Sequence, residues 1–233
     1  MSDAGLKQLN DQPLLHPWQQ PTVGSGLVLH AVAALQYDLA SMRAEYAAVD
    51  RVVRPDGRNF LANDGTWSAI PLIERDSYAA DGALRAGSPM PALHHMPSVS
   101  LLLARSDWTV LSCYILRQPP RGMLPWHFDN QGLHLADCRL LIPIHAPEGA
   151  ITRIGHDVAA YPAGVAWTAD FSFPHQVENP GEAERIMLAV DVRVGQEIRR
   201  LLPTALADAA PLRHALSQQA RNRLLHWRAS QQS

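Results

Sequence analysis

Cysteine is scarce in this chain: Cys113 and Cys138 are the only two among 233 residues. Two thiols cannot supply the disulfide framework of a small secreted domain, and both sit in or beside apolar segments, so reduced, buried thiols are expected. Long hydrophobic runs are missing too, since none approaches the roughly 20 residues that a membrane-spanning helix needs. The opening Met1–Lys7 has no cationic stretch leading into an apolar segment, so a cytoplasmic protein is expected rather than a secreted or membrane-inserted one. The formal charge is only −2. That gives no electrostatic reason to expect nucleic acid as a partner, and the clustered bases Arg199-Arg200 and Arg221 with Arg223 read as solvated helix faces. Gly-rich phosphate loops, Cys-x-x-Cys pairs and nucleophile elbows are absent, which removes support for nucleotide chemistry and serine hydrolysis. No repeat, low-complexity tract or composition shift marks a second domain. A chain of this length with 47% hydrophobic residues fits one domain over 1–233.

What is present is a chain of short elements. The segment to about Gly26 is polar and Pro-containing, predicted to wrap the body or stay loose. Ala31 to Ala48 shows helical spacing, with Val32, Leu35, Leu39 and Met42 in one stripe and Met42 and Tyr46 as packing residues. From Pro55 to Pro97 the chain is rich in Gly, Asp and Pro, interrupted by a strand candidate from Trp67 to Ile73. Structureless connections of that length are uncommon, so much of this segment is a candidate active-site cover. A β-core is expected over about 99–195, with strands at Val99–Ala104, Trp108–Arg117, Trp126–Phe128, Arg139–Ile144, Ala150–Ile154 and Val165–Ala169. A final pair follows, Asp170–Val177 and Arg185–Val192, joined by a turn over Asn179–Glu182. Many short strands punctuated by Pro, Gly and Asp argue for a sandwich or barrel. From Gln196 onward the pattern is helical, broken by Pro203 and Pro211.

Chemistry is concentrated in His127-Phe128-Asp129. Side chains alternate along a strand, so His127 and Asp129 project to one side as a two-toothed metal clamp. Such a pair suits Fe(II), and equally zinc or manganese. His175 adds a second imidazole. If the final strand pair closes as a hairpin about Pro180-Gly181, Arg185 lies across the ladder from His175, and its planar guanidinium can grip a small acid chelated to the metal. The structural alternatives are a core or turn role for His175 and an exposed pairing of Arg185 with Glu178 or Glu182.

Taken together, Leu124-Pro-Trp-His-Phe-Asp129, Arg139-Leu-Leu-Ile-Pro-Ile144, Asp170-Phe-Ser-Phe-Pro-His-Gln-Val-Glu-Asn179 and Arg185-Ile-Met-Leu-Ala-Val-Asp-Val192 resemble the aspartyl/asparaginyl β-hydroxylase family of Fe(II)/2-oxoglutarate-dependent oxygenases. Asn63 to Leu72 is similar to a family segment as well. The resemblance implies a mainly β fold, a double-stranded β-helix of the jelly-roll, cupin-like type with flanking N- and C-terminal helices. It implies His127, Asp129 and His175 as iron ligands, Arg185 as the anchor for the distal carboxylate of 2-oxoglutarate, and Arg139 near the cosubstrate's other carboxylate. Some members lack the carboxylate ligand; Asp129 makes this chain more similar to the bacterial amino-acid hydroxylases. The cofactors implied are Fe(II), 2-oxoglutarate and O2. The reaction implied is hydroxylation of a free, peptidyl or natural-product amino acid, with release of succinate and CO2.

Other residues are weaker candidates. His94-His95 and His156-Asp157 would point to opposite faces of a strand. His134, His145, Trp126, Trp167 and Tyr114 lie near the motif in sequence, and Arg117, Arg121 and Arg153 are candidates for a substrate carboxylate. Two competing classes remain: a cupin-like metal enzyme that does not use 2-oxoglutarate and so has no need of Arg185, and a noncatalytic jelly-roll binding protein.

Overall fold

Every residue from Arg185 to Val192 is buried, a continuous run expected of a strand covered on both faces. Around it the computed structural model, which describes residues 14–53, 67–75, 83–104 and 107–231, arranges eleven strands in two sheets. The strands are β1 (His30–Val32), β2 (Ser68–Glu74), β3 (Ser88–Pro89), β4 (Val110–Gln118), β5 (Met123–His127), β6 (Asp137–His145), β7 (Ile151–Ile154), β8 (Asp157–Ala159), β9 (Trp167–Ala169), β10 (His175–Glu178) and β11 (Arg185–Arg193). Among the described residues four helices accompany them: α1 (Leu39–Val53), α2 (Pro97–Ala104), α3 (Gln196–Arg200) and α4 (Ala210–Ser230). One sheet has the order β1-β9-β6-β11-β4-β2-β3 and the other β5-β10-β7-β8. All their pairings are antiparallel. The chain is mainly β, a double-stranded β-helix with flanking helices.

Alternation along β11 explains why both faces are apolar. Ile186, Leu188, Val190 and Val192 join the core that includes Met42, Tyr46 and Val49 of α1 and Val99 and Leu102 of α2. Met187 and Ala189 turn the other way, into the core with Leu141, Ile154, Phe171 and Phe173. Burying a side chain of this kind stabilises the fold by about 1.5–3 kcal/mol.

Several expected elements shift. The helix placed over 31–48 begins only at Leu39, because Asp38 accepts hydrogen bonds from the Ser41 amide (3.0 Å) and hydroxyl (2.7 Å) and caps it. Ala31 and Val32 belong to β1 instead, and Val32 is exposed. The stretch Val99–Ala104 is helix α2 rather than the first core strand. Pro97 starts the helix, Met96, Val99 and Leu102 are buried at a spacing of three, and Glu45 of α1 accepts from the Ser98 amide at 3.0 Å. Asp170–Pro174 is a turn in which the Ser172 amide donates to the Asp170 carboxylate, so β10 starts only at His175. His94 and His95 lie in a 3-10 turn, and β8 is an additional short strand.

The largest correction concerns the final hairpin, which does not form. β10 pairs with β5 and β7, whereas β11 pairs with β4 and β6. The connection 179–184 carries the chain from one sheet to the other. Of the segment expected to cover the site, 55–66 and 76–82 lie outside the described residues. The rest is structured: β2 and β3 extend the large sheet, and buried Leu72 and Met96 fix it to the core.

Both chain ends of the described structure pack on this frame. Trp18 is buried, with its ring 5.8 Å from Trp126 and 5.0 Å from Trp227 of α4. The N-terminal segment therefore packs on the body from His16 onward, while Leu14 is exposed; residues 1–13 are not among those described. Cys113 and Cys138 are free and buried, as expected, and burial pushes the Cys138 thiol up to about 12. No helix among the described residues is long and apolar enough to cross a membrane.

Helix α4 is fastened by a buried ion pair. Arg213, fully buried, donates to the Asp170 carboxylate (3.0 Å) and to the carbonyls of Val28, Ala205 and Asp208. Arg213→Met leaves the Asp170 charge buried without its cation and is expected to lower unfolding free energy by about 3–5 kcal/mol. A urea titration checks this, and an unchanged midpoint would contradict it.

Candidate active site

Between the two sheets lies a cavity of about 240 Å³. His127 ends β5 and His175 opens β10; the two are ladder partners, with ring centroids 4.1 Å apart. Asp129 stands past the end of β5 rather than on it, yet its Oδ2 lies 3.9 Å from His175 Nε2. One nitrogen or oxygen from each of the three residues lies within 4.8 Å of the others.

The imidazole protonation pattern follows from backbone contacts. His127 Nδ1 is 2.8 Å from the Pro125 carbonyl and His175 Nδ1 is 3.0 Å from that of Phe173. A carbonyl only accepts, so Nδ1 carries the proton in both rings and Nε2 keeps its lone pair. Burial lowers the pKa of His127 against the opposing pull of Asp129. Burial and the neighbouring His127 hold His175 well below the usual range. Two neutral Nε2 atoms and one carboxylate oxygen are the donor set that suits non-haem Fe(II) with open positions.

Arg185 enters the cavity from the opposite sheet, not from a neighbouring strand. It is 7% exposed and donates to the Ile151 carbonyl and the Thr152 hydroxyl, each at 3.0 Å. Burial lowers its pKa to about 10, which leaves it charged near neutrality. No carboxylate among the described residues pairs with it. Glu178 is engaged by Arg153, Glu182 by Arg121 and Glu184 by Arg117. The exposed-pair alternative for Arg185 is thereby excluded.

Arg139 on β6 is also inside. It donates in bidentate fashion to Asp191 (2.7 and 3.1 Å) and through Nη1 to Asp129 Oδ2 at 3.1 Å. Burial disfavours the Arg139 charge, but Asp191 and Asp129 outweigh it and raise the pKa. Asp191 answers in kind: burial works to raise its pKa, and Arg139 with hydrogen bonds from Ser112 and Gln131 brings it below the usual value. The guanidinium thus ties a candidate metal ligand to the centre of the large sheet.

Among the remaining candidates, Tyr114 lines the cavity, and so does Trp67; Trp126 and Trp167 do not. Trp126 packs on Trp18, and Trp167 on Tyr161 and Phe171. His134 lies 3.4 Å from Asp170, His145 stacks edgewise on Tyr46, and His156 bonds to Thr22; His94, His95 and Asp157 also lie outside the cavity lining. Arg117 borders the cavity, but Asp50 and Glu184 engage its guanidinium. Sequence reading misses Asp191, Thr152 and Arg221. A signal exists for Asp191, since a carboxylate inside the run Ala-Val-Asp-Val must be paired to be buried. Arg221 is no solvated charge: it donates to the carbonyls of Ser172 and Asp129.

The aspartyl/asparaginyl β-hydroxylase profile matches residues 36–194, well over half of the chain. The chain belongs to the aspartyl/asparaginyl β-hydroxylase family. A search of curated proteins finds no significant match. Among solved structures, the fold is similar to a 2OG-Fe(II) oxygenase family oxidoreductase from Burkholderia pseudomallei (TM-score 0.49, 14% identity, 82% of this chain and 100% of that one). It is also similar to AviO1 from Streptomyces viridochromogenes Tue57 (TM-score 0.45, 14% identity, 80% and 98%). A third is a viral collagen prolyl hydroxylase from Paramecium bursaria Chlorella virus-1 (TM-score 0.43, 10% identity, 74% and 98%). None reaches a TM-score of 0.5, so the assignment rests on the family match.

The buried charge network has a measurable consequence. Asp191→Asn removes the charge that holds Arg139 and is expected to destabilise the protein by about 1–3 kcal/mol. Chemical denaturation measures this, and wild-type stability in the variant would show that Arg139 is held by Asp129 alone.

Proposed function

We propose that His127, Asp129 and His175 hold Fe(II), that Arg185 with Thr152 binds the distal carboxylate of 2-oxoglutarate, and that the protein hydroxylates a C–H bond of an amino acid. The observation that carries this reading is the Arg185 guanidinium, buried in the cavity wall without a counter-ion among the described residues and facing the His-Asp-His donor set. A buried cation without its anion is unfavourable, and an acid spanning the cavity supplies the missing charge at one end and metal-binding atoms at the other. Arg139 has a different task, holding the Asp129 carboxylate and bordering the place where the cosubstrate's other carboxylate would lie.

Iron bound to these residues supplies the oxidising chemistry, in which one atom of O2 enters the substrate and the other enters succinate as CO2 leaves. The chain's own residues contribute orientation and dryness. Leu124, Val177, Phe171 and Met187 line the cavity with apolar surface, which strengthens the Arg185 contact and keeps water from the reacting centre. Arg117, Arg121 and Arg153, the sequence's candidates for a substrate carboxylate, are each ion-paired. That favours an amino acid whose carboxylate is masked, as in a peptide or a conjugated intermediate, over a free zwitterion.

Anaerobic addition of Fe(II) and 2-oxoglutarate tests the reading through the visible metal-to-ligand charge-transfer band. The band is expected in the wild type and lost in folded Arg185→Ala at the same cosubstrate concentration, since truncating one member of a buried charge pair costs about 2–5 kcal/mol of binding. A folded, iron-loaded wild type without the band would overturn the 2-oxoglutarate reading and favour a cupin-like enzyme that needs no Arg185. Once the band is established, succinate release with capped against free amino acids separates the two substrate classes.

A further inference from the structure

We propose that Arg221 of α4 is a positioning residue for the metal site, acting on Asp129 from outside the stretch that matches the family. The inference rests on the metal reading above.

Asp129 needs such support because of where it stands. The β5–β10 ladder ends at the pair His127 and His175, so Asp129 lies beyond the last strand pairing. Its amide donates to the Phe171 carbonyl at 2.9 Å, and its own carbonyl accepts from Arg221 Nη2 at 3.1 Å. Those two bonds fix the peptide groups on either side of its Cα. Without them, the carboxylate would be directed only by Arg139.

The same guanidinium also holds the other metal-bearing segment. Arg221 Nε donates to the Ser172 carbonyl at 2.6 Å, three residues ahead of His175. A guanidinium is a rigid plane with donors in a fixed fork, so gripping both carbonyls sets the spacing between the two segments. Phe128, between His127 and Asp129, lies against the guanidinium with its centroid 4.9 Å from Arg221 Cζ. About two turns further along α4, Arg228 donates to the Trp126 carbonyl. Helix α4 therefore grips the chain on both sides of His127, at Trp126 and at Asp129. The family match ends at residue 194, and α4 begins at Ala210.

An arginine that merely fastened the helix would influence stability alone; a positioning residue influences the metal. Arg223 provides the comparison, since it sits on the same helix but donates to the Pro17 carbonyl and the Gln20 side chain, away from both ligand segments. The test is Mn(II) affinity, read from the free-ion EPR signal, alongside the thermal midpoint of the apo protein. Arg221→Ala is expected to bind Mn(II) roughly 10–100-fold more weakly than wild type, the usual effect of losing a group that orients a metal ligand. Arg223→Ala is expected to keep wild-type affinity, whatever its midpoint. Arg221→Lys, which keeps the charge but offers no fork, is expected to fall between, and it carries the test should Arg221→Ala fail to fold. Wild-type affinity in a folded Arg221 variant, or an equal loss in Arg223→Ala, overturns the proposal. A wild type that binds no Mn(II) overturns the metal reading itself and this proposal with it.

Discussion

Asn179 is buried, and its side-chain amide donates to the carbonyls of Pro119 and Ala183 at 2.9 Å each, while its backbone amide donates to Gly122. These bonds fix the corner at which the chain leaves the four-stranded sheet after β10 and enters the seven-stranded sheet as β11. The rest of the cavity depends on that corner. A tight hairpin would have set His175 and Arg185 side by side on one sheet. Crossing over instead sets them on facing walls, and Arg185 then meets Ile151 and Thr152 of β7 across the gap.

Charge inside this apolar gap is distributed unevenly. Arg139, Asp191 and Asp129 form a connected set in which each charge has a partner. Arg185 has only neutral partners among the described residues. In a low-dielectric interior a paired cluster is a rigid anchor, while an unpaired cation is costly to bury. The two arginines that the family resemblance places near the two carboxylates of 2-oxoglutarate thus differ in setting: Arg139 is ion-paired to Asp191 and Asp129, whereas Arg185 has no counter-ion among the described residues. Both histidines, neutral through burial and turned by backbone carbonyls, present Nε2 toward the same space.

Much of this is legible in the residues themselves. The His-x-Asp pair, the distant His175 and the Arg185 strand can be read because residue chemistry and apolar patterning are local properties, although Asp129 stands past the end of β5 and not on one strand with His127. So can β2, β4, β6, β7, β9 and the C-terminal helices, each to within a few residues. Three departures arise from contacts between segments distant in sequence. Val99–Ala104 reads as strand yet is helix, and its N-terminus is capped by Glu45, a residue far away in sequence. Arg221 reads as solvated because an amphipathic pattern does not reveal that a helix face lies against backbone carbonyls. A hairpin is expected because turn chemistry at Asn179–Glu182 is the same whether the chain reverses within a sheet or crosses between two.

Residue order alone specifies the inventory of the candidate site: two imidazoles, a carboxylate and a guanidinium, in an order that resembles one family. How that inventory is apportioned is set only in three dimensions. Which sheet each strand joins, which acid neutralises which arginine and which helix holds the Asp129 main chain all depend on contacts between residues distant in sequence. Such contacts follow from the burial of two opposed apolar faces and from the need to pair every buried polar group, and neither condition can be evaluated one segment at a time.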